Sequence, residues 1–191
     1  MSLKNTESKW GGIAKFLHWY VAIFIICNGI YGLWMVELDV VHGRHFHYEL
    51  HKSIGMTVLA LAVLRIGSRI GSITPKDAPM PKWQRTTAKS VEGFLMLLAV
   101  LLPLSGWAMS TFLGYPVNFF MQFEIPKPLP ANMSVGEFFR IAHRVVFWVV
   151  VGFLVMHVGG ALFHHFVRRD NTLLAMLPFA RLRSTSGSDK D

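Results

Sequence analysis

Residues 143–157 read HRVVFWVVVGFLVMH, an apolar run closed at both ends by histidine. The two imidazoles are fourteen positions apart, close to four turns of α-helix. They therefore share one face and stand about 21 Å apart along the axis at 1.5 Å per residue. From Val145 to Val167 the stretch carries no Asp, Glu, Lys or Arg, long enough to cross about 30 Å of hydrocarbon. An ionisable side chain at such depth is costly and points to function.

Three further apolar blocks lie upstream. Phe16–Val36 is uncharged. Ser53–Leu64 is also uncharged but is closely flanked by Glu49, Lys52 and Arg65, and spans if the long basic side chains snorkel to the headgroups. Gly93–Phe123 exceeds one span and holds Pro103 and Pro116; it predicts a helix ending near Met109 and then an apolar loop on the membrane surface. Arg65–Lys89, with Pro75, Pro79 and Pro81, reads as a loop, and Pro126–Pro130 as irregular. The expected fold is all-α, an integral membrane four-helix bundle forming one domain over 1–180, with a polar tail at 181–191 of disordered composition. Composition agrees: 52% of the 191 residues are hydrophobic and 16% charged, against about 25% charged in soluble domains. The polar start, Met1–Gly12, and the long first apolar run predict no cleavable signal.

The net charge of +8 raises the question of nucleic acid, but the placement of the charges answers it. Fourteen of the nineteen Lys and Arg residues fall in the N-terminal arm, in the connection from Arg65 to Lys89 and in the C-terminal tail. The other side has only Arg44, Lys52, Lys127, Arg140 and Arg144. That asymmetry predicts cytoplasmic termini and no nucleic-acid partner. Trp19, Trp34, Trp107 and Trp148 fall near expected helix ends, as interfacial or core aromatics. The single cysteine, Cys27, reads as a packing residue, and the absence of a CxxCH motif excludes a covalently attached haem.

Four histidines lie in or at the edge of the spans: His18, His51, His143 and His157. With both termini inside, His18 and His157 fall near the cytoplasmic side, and His51 and His143 near the outer side. Two ligand pairs at two depths suit two haems, each between facing helices of a bundle. A di-metal site or a proton pathway is the alternative from spacing alone. Nitrogen ligation on both axial faces leaves no open position and suits electron transfer. Gly29, Gly32, Gly55, Gly152, Gly159 and Gly160 on the ligand-bearing helices would permit close approach of a flat macrocycle, or plain helix packing. His42, His45 and His47 form a loop cluster near Asp39 and Glu49, conceivable as a surface metal site but more simply a solvated, titrating loop. His164, seven residues after His157, is a candidate quinone contact or proton donor. His165 points elsewhere and receives no role.

Several stretches carry a family resemblance: AKFLHW at 14–19, HKSIGM at 51–56, LPLSGW at 102–107, His143 with His157 and the pair His164–His165, and RDNTLLAMLP at 169–178. Over residues from about 10 to 180 the chain resembles the bacterial cytochrome b561 family, including its superoxide:quinone oxidoreductase members. The resemblance implies a di-haem b-type cytochrome of the inner membrane. It implies haem iron held by His18 with His157 and by His51 with His143, and His164 near the quinone. Electrons would pass from a periplasmic donor, superoxide in the superoxide-oxidising members, to ubiquinone. Lys89 and Glu92 stand where the family often has histidines, and Arg144 where some relatives are acidic, which bears on the donor and quinone sites rather than on the haems.

Two functions follow. One is an oxidoreductase that oxidises superoxide and reduces ubiquinone, with Lys52, Arg140 and Arg144 either attracting the anion or holding haem propionates. The other is the membrane-anchor cytochrome b subunit of a dehydrogenase or hydrogenase, passing its partner's electrons to quinone. A haem-free proton or metal transporter would be a third.

Overall fold

The computed structural model describes residues 2–7, 9–38, 44–76, 78–180 and 182. His42, Asp39 and the expected tail (apart from Leu182) lie outside them. Four long helices make up the bundle: α1 (Gly12–Met35), α2 (Arg44–Ile70), α3 (Lys82–Phe112) and α4 (Met133–Phe163). All four are long and apolar enough to cross a membrane. One turn of π-helix (His164–Arg168) extends α4, and a short α5 (Thr172–Met176) follows.

Every long helix begins before the apolar block that announced it. α2 begins at Arg44 and α4 at Met133, so His51 and His143 stand two to three turns inside their helices rather than at their starts. α3 runs to Phe112 and not Met109, and α2 reaches Ile70, which shortens the loop expected over Arg65–Lys89 to 71–81. The reason is physical: hydropathy marks the stretch that lies in hydrocarbon, while the helix continues through the headgroup zone on polar residues. Asn132 caps the start of α4, its side chain accepting a hydrogen bond from the Val135 amide at 3.2 Å. The apolar loop after α3 holds a small antiparallel hairpin, β1 (Asn118–Phe119) with β2 (Phe123–Glu124), the one departure from an all-helical chain among the described residues.

α1 packs along α2, α2 against α3, and α3 along α4. Small residues let the first three approach: Val21, Ala62 and Ala99 meet in a buried cluster flanked by Ile25, Leu61 and Val100. Large apolar side chains such as Ile23, Phe94 and Val155 face outward, as a lipid solvent permits.

The two ends differ. At the terminal end, the N-terminal arm and α5 are tied to the bundle: Lys15 Nζ donates to the Leu177 carbonyl at 2.9 Å and Trp19 Nε1 to the Met176 carbonyl at 2.9 Å. At the loop end, Glu49 is 1% exposed. It pairs with Lys52 and accepts from the Asn118 amide at 2.9 Å. Ser53 Oγ accepts from the Phe120 amide at 2.8 Å, and Lys52 also donates to the Pro116 carbonyl. The loop is thereby clasped to α2, one turn from His51.

Candidate haem and quinone site

The four intramembrane histidines stand in two pairs. His18 of α1 faces His157 of α4 with ring centres 6.1 Å apart. His51 of α2 faces His143 of α4 with ring centres 6.4 Å apart. Because the two α4 histidines share a face, the pairs occupy two levels, His18–His157 toward the terminal end and His51–His143 toward the loop end.

The loop-end pair is held from behind. His143 Nδ1 lies 3.0 Å from the Leu102 carbonyl and 3.0 Å from Ser105 Oγ. Ser105 donates its own proton to that carbonyl at 2.7 Å. Nδ1 is thus the protonated nitrogen, which leaves the Nε2 lone pair free to ligate. Each ring also rests on a glycine backbone. A Cβ on Gly106 would stand 3.1 Å from His143 Cε1, and one on Gly32 would stand 2.9 Å from His51 Cε1. Gly29 meets Phe147 instead, while in front of Gly152, Gly159 and Gly160 there is open space. Gly106 escaped the sequence reading because α3 carries no histidine; its position after Ser105 in LPLSGW was the available signal.

His164 sits apart from the pairs, in the π-helical turn at the terminal end, and is 6% exposed. Its Nδ1 lies 2.6 Å from Asp170 Oδ2, and its Nε2 lies 3.2 Å from Gln84 Nε2 at the start of α3. Arg168 donates to Gln84 Oε1 at 3.3 Å, which turns the amide N–H toward the imidazole. Nδ1 therefore carries the N–H that is donated to Asp170. Burial alone would raise the Asp170 carboxyl, but hydrogen bonds from His164 and Thr172 outweigh it and hold the group below the ordinary carboxylate value. Neither Gln84 nor Asp170 was singled out from the sequence, although Asp170 stands in the quoted RDNTLLAMLP stretch, six residues after His164.

A sequence model of the prokaryotic cytochrome b561 family matches residues 9–179. This chain belongs to that family. It is 36% identical to cytochrome b561 homolog 2 of Escherichia coli over 181 residues, 93% of this chain and 95% of the relative. Identity to cytochrome b561 homolog 1 of the same organism is 27% over 85% of this chain and 93% of that one. Identity to a probable superoxide oxidase, CybB, of Yersinia pestis is 27% over 86% and 93%.

Family membership makes the chain a bacterial membrane electron-transfer protein and implies b-type haem. The residues fit that group. Each pair sets two imidazoles from facing helices with ring centres 6.1 and 6.4 Å apart, and in the loop-end pair the His143 Nε2 lone pair is left free to ligate. Among the described residues no three His, Cys, Asp or Glu side chains converge on one point.

Two other expectations change. Lys52 is occupied by Glu49 and the Pro116 carbonyl, and Arg140 is paired with Glu137 at 2.5 Å. Of the three cations expected near the loop-end pair, Arg144 alone has no such partner among the described residues. In the loop cluster, His47 Nδ1 meets the Tyr31 hydroxyl at 2.6 Å and its ring stands edge-on to Trp34 at 5.1 Å, which accounts for it as a packed residue of α2.

Proposed function

We propose that the chain is a di-haem cytochrome carrying electrons one at a time across the bilayer, from a donor at the loop end to a quinone at the terminal end. The observation that carries this reading is that α4 contributes one histidine to each of two pairs, at two levels. His18 with His157 and His51 with His143 would hold the iron of two haem b groups, which supply one-electron redox chemistry. The Lys and Arg asymmetry puts the terminal end in the cytoplasm and the loop end in the periplasm of a bacterial inner membrane.

At the terminal end His164 serves the quinone. Reduction to quinol consumes two electrons and two protons. His164 is the proton-handling group and Asp170 orients it as a positioning residue; a proton taken up from terminal-side water at Nε2, in place of the Gln84 amide contact, is passed from there to the oxygen of the reduced quinone, and two such transfers supply both protons. At the loop end the donor is superoxide: two superoxide ions release two electrons and leave as dioxygen, which balances one ubiquinone reduced to ubiquinol. The name of the Yersinia pestis relative supports that donor.

The pairing of Lys52 and Arg140 within the chain favours a second reading of the donor, since little free positive charge remains to attract a small anion. In it a docked dehydrogenase or hydrogenase subunit delivers the electrons. The experiment is a superoxide generator added to detergent-purified protein with ubiquinone, read at the haem absorbance. Haem reduction followed by quinol formation supports superoxide. Haems that ignore superoxide yet reoxidise with quinone support the docked partner.

A further inference from the structure

The spacing on α2 repeats that on α4. Arg65 follows His51 by fourteen residues, as His157 follows His143. Fourteen residues turn a helix to within about 40° of its starting face and advance it about 21 Å. α2 thus presents a histidine at the loop-end level and an arginine at the level of His18 and His157.

Among the described residues the Arg65 guanidinium has neither a hydrogen bond nor an ion pair, although its carbonyl accepts from Ser68 Oγ at 2.8 Å. The carboxylate that attracts it is Glu92, but Glu92 lies 3.8 Å from Arg69, which also covers the Trp10 ring at 4.7 Å. One carboxylate facing two guanidinium groups leaves a positive charge unbalanced at a half-buried position in a spanning helix. An arginine that merely snorkelled would put its head among the phosphates; this one stands at the level of the His18–His157 pair, on the α2 face that carries His51. A cation so placed calls for an anion that the described residues do not supply in full. Haem b carries two propionate carboxylates, and a guanidinium fork matches a carboxylate.

We propose that Arg65 holds a propionate of the haem ligated by His18 and His157 and raises that haem's potential above its neighbour's. This rests on the two-haem reading. Adding an electron makes a haem more negative, so a neighbouring cation favours the reduced state. At the loop end the corresponding lysine, Lys52, is spent on Glu49. The difference directs electrons from the loop-end pair toward the quinone end.

The test is a spectroscopic redox titration of detergent-purified holoprotein in wild type, Arg65→Gln and Arg65→Lys, with haem content measured on each. His157→Ala identifies which component belongs to the terminal-end pair. In Arg65→Gln that component is expected to lose about tenfold in its reduction equilibrium, 59 mV for one electron, while the other stays in place. Arg65→Lys, a point charge replacing a fork, gives a smaller drop in the same component, and is read alone if Arg65→Gln does not fold. A terminal-end component that does not move overturns the proposal and leaves a lipid phosphate as the counter-ion. Equal movement of both components also overturns it, as general disruption. A wild-type protein with a single haem component that His157→Ala leaves intact overturns the two-haem reading itself.

Discussion

The His143 ring lies against the backbone of Gly106, where a single added methyl would stand 3.1 Å from Cε1. On the opposite side of the site Gly32 supports His51 in the same way, at 2.9 Å. The loop-end pair is therefore positioned by two helices that carry none of the other ring's ligating atoms: α3 beneath His143 and α1 beneath His51. Gly106→Ala and Gly32→Ala are each expected to cost about 1–3 kcal/mol by overpacking and to lower the haem content of the loop-end site. Gly93→Ala, in the same helix as Gly106 but with no atom within 4 Å of the added Cβ, should be neutral or stabilising by helix propensity. Thermal unfolding and the haem-to-protein ratio check both.

The Glu49 clasp makes a separate prediction about stability. Glu49 is almost fully buried, and Lys52 depends on it. Glu49→Gln leaves a partly buried ammonium without its carboxylate and should destabilise the protein by about 3–5 kcal/mol. The loop over 113–124 should become sensitive to protease at the same time, because the Asn118 amide loses a charged acceptor. A Glu49→Gln protein as stable and protease-resistant as wild type would show that the clasp contributes nothing.

Asp170 gives a prediction in pH. Its carboxyl is held below the ordinary value, so the stability it contributes is fully present above the unfolded value, about 3.9, and is lost only as pH falls through the lower folded value. Wild-type protein should keep the His164 contact through mildly acidic conditions, whereas Asp170→Asn lacks it at every pH. Quinol formation should fall about a hundredfold or more in His164→Ala, the scale of a lost acid–base group, and by less in Asp170→Asn. Quinone titrations at several pH values measure this; equal activity in all three proteins would remove His164 from the reaction.

The span of each helix in hydrocarbon was legible from apolar runs, and the two histidine levels from the fourteen-residue spacing on α4. The helix ends were not, because Arg44–Leu50 and Met133–Ala142 are amphipathic extensions that hydropathy does not register. The fates of Lys52 and Arg140 were hidden for another reason: whether a surface cation is free depends on a carboxylate three residues away, Glu49 or Glu137, and on how a loop closes over it. Gln84 reaches His164 from eighty residues away, a contact that only the packing of α3 against α4 creates. Asp170 and Thr172, six and eight residues from His164, were the partners of that ring within reach of local reasoning.

The central claim is that His18–His157 and His51–His143 each hold one haem. The haem-to-protein ratio of purified wild type, His157→Ala and His143→Ala tests it most directly. The expected result is two haems per chain in wild type and one in each variant, with different spectral components lost. One haem in wild type, or both components surviving either substitution, would contradict it.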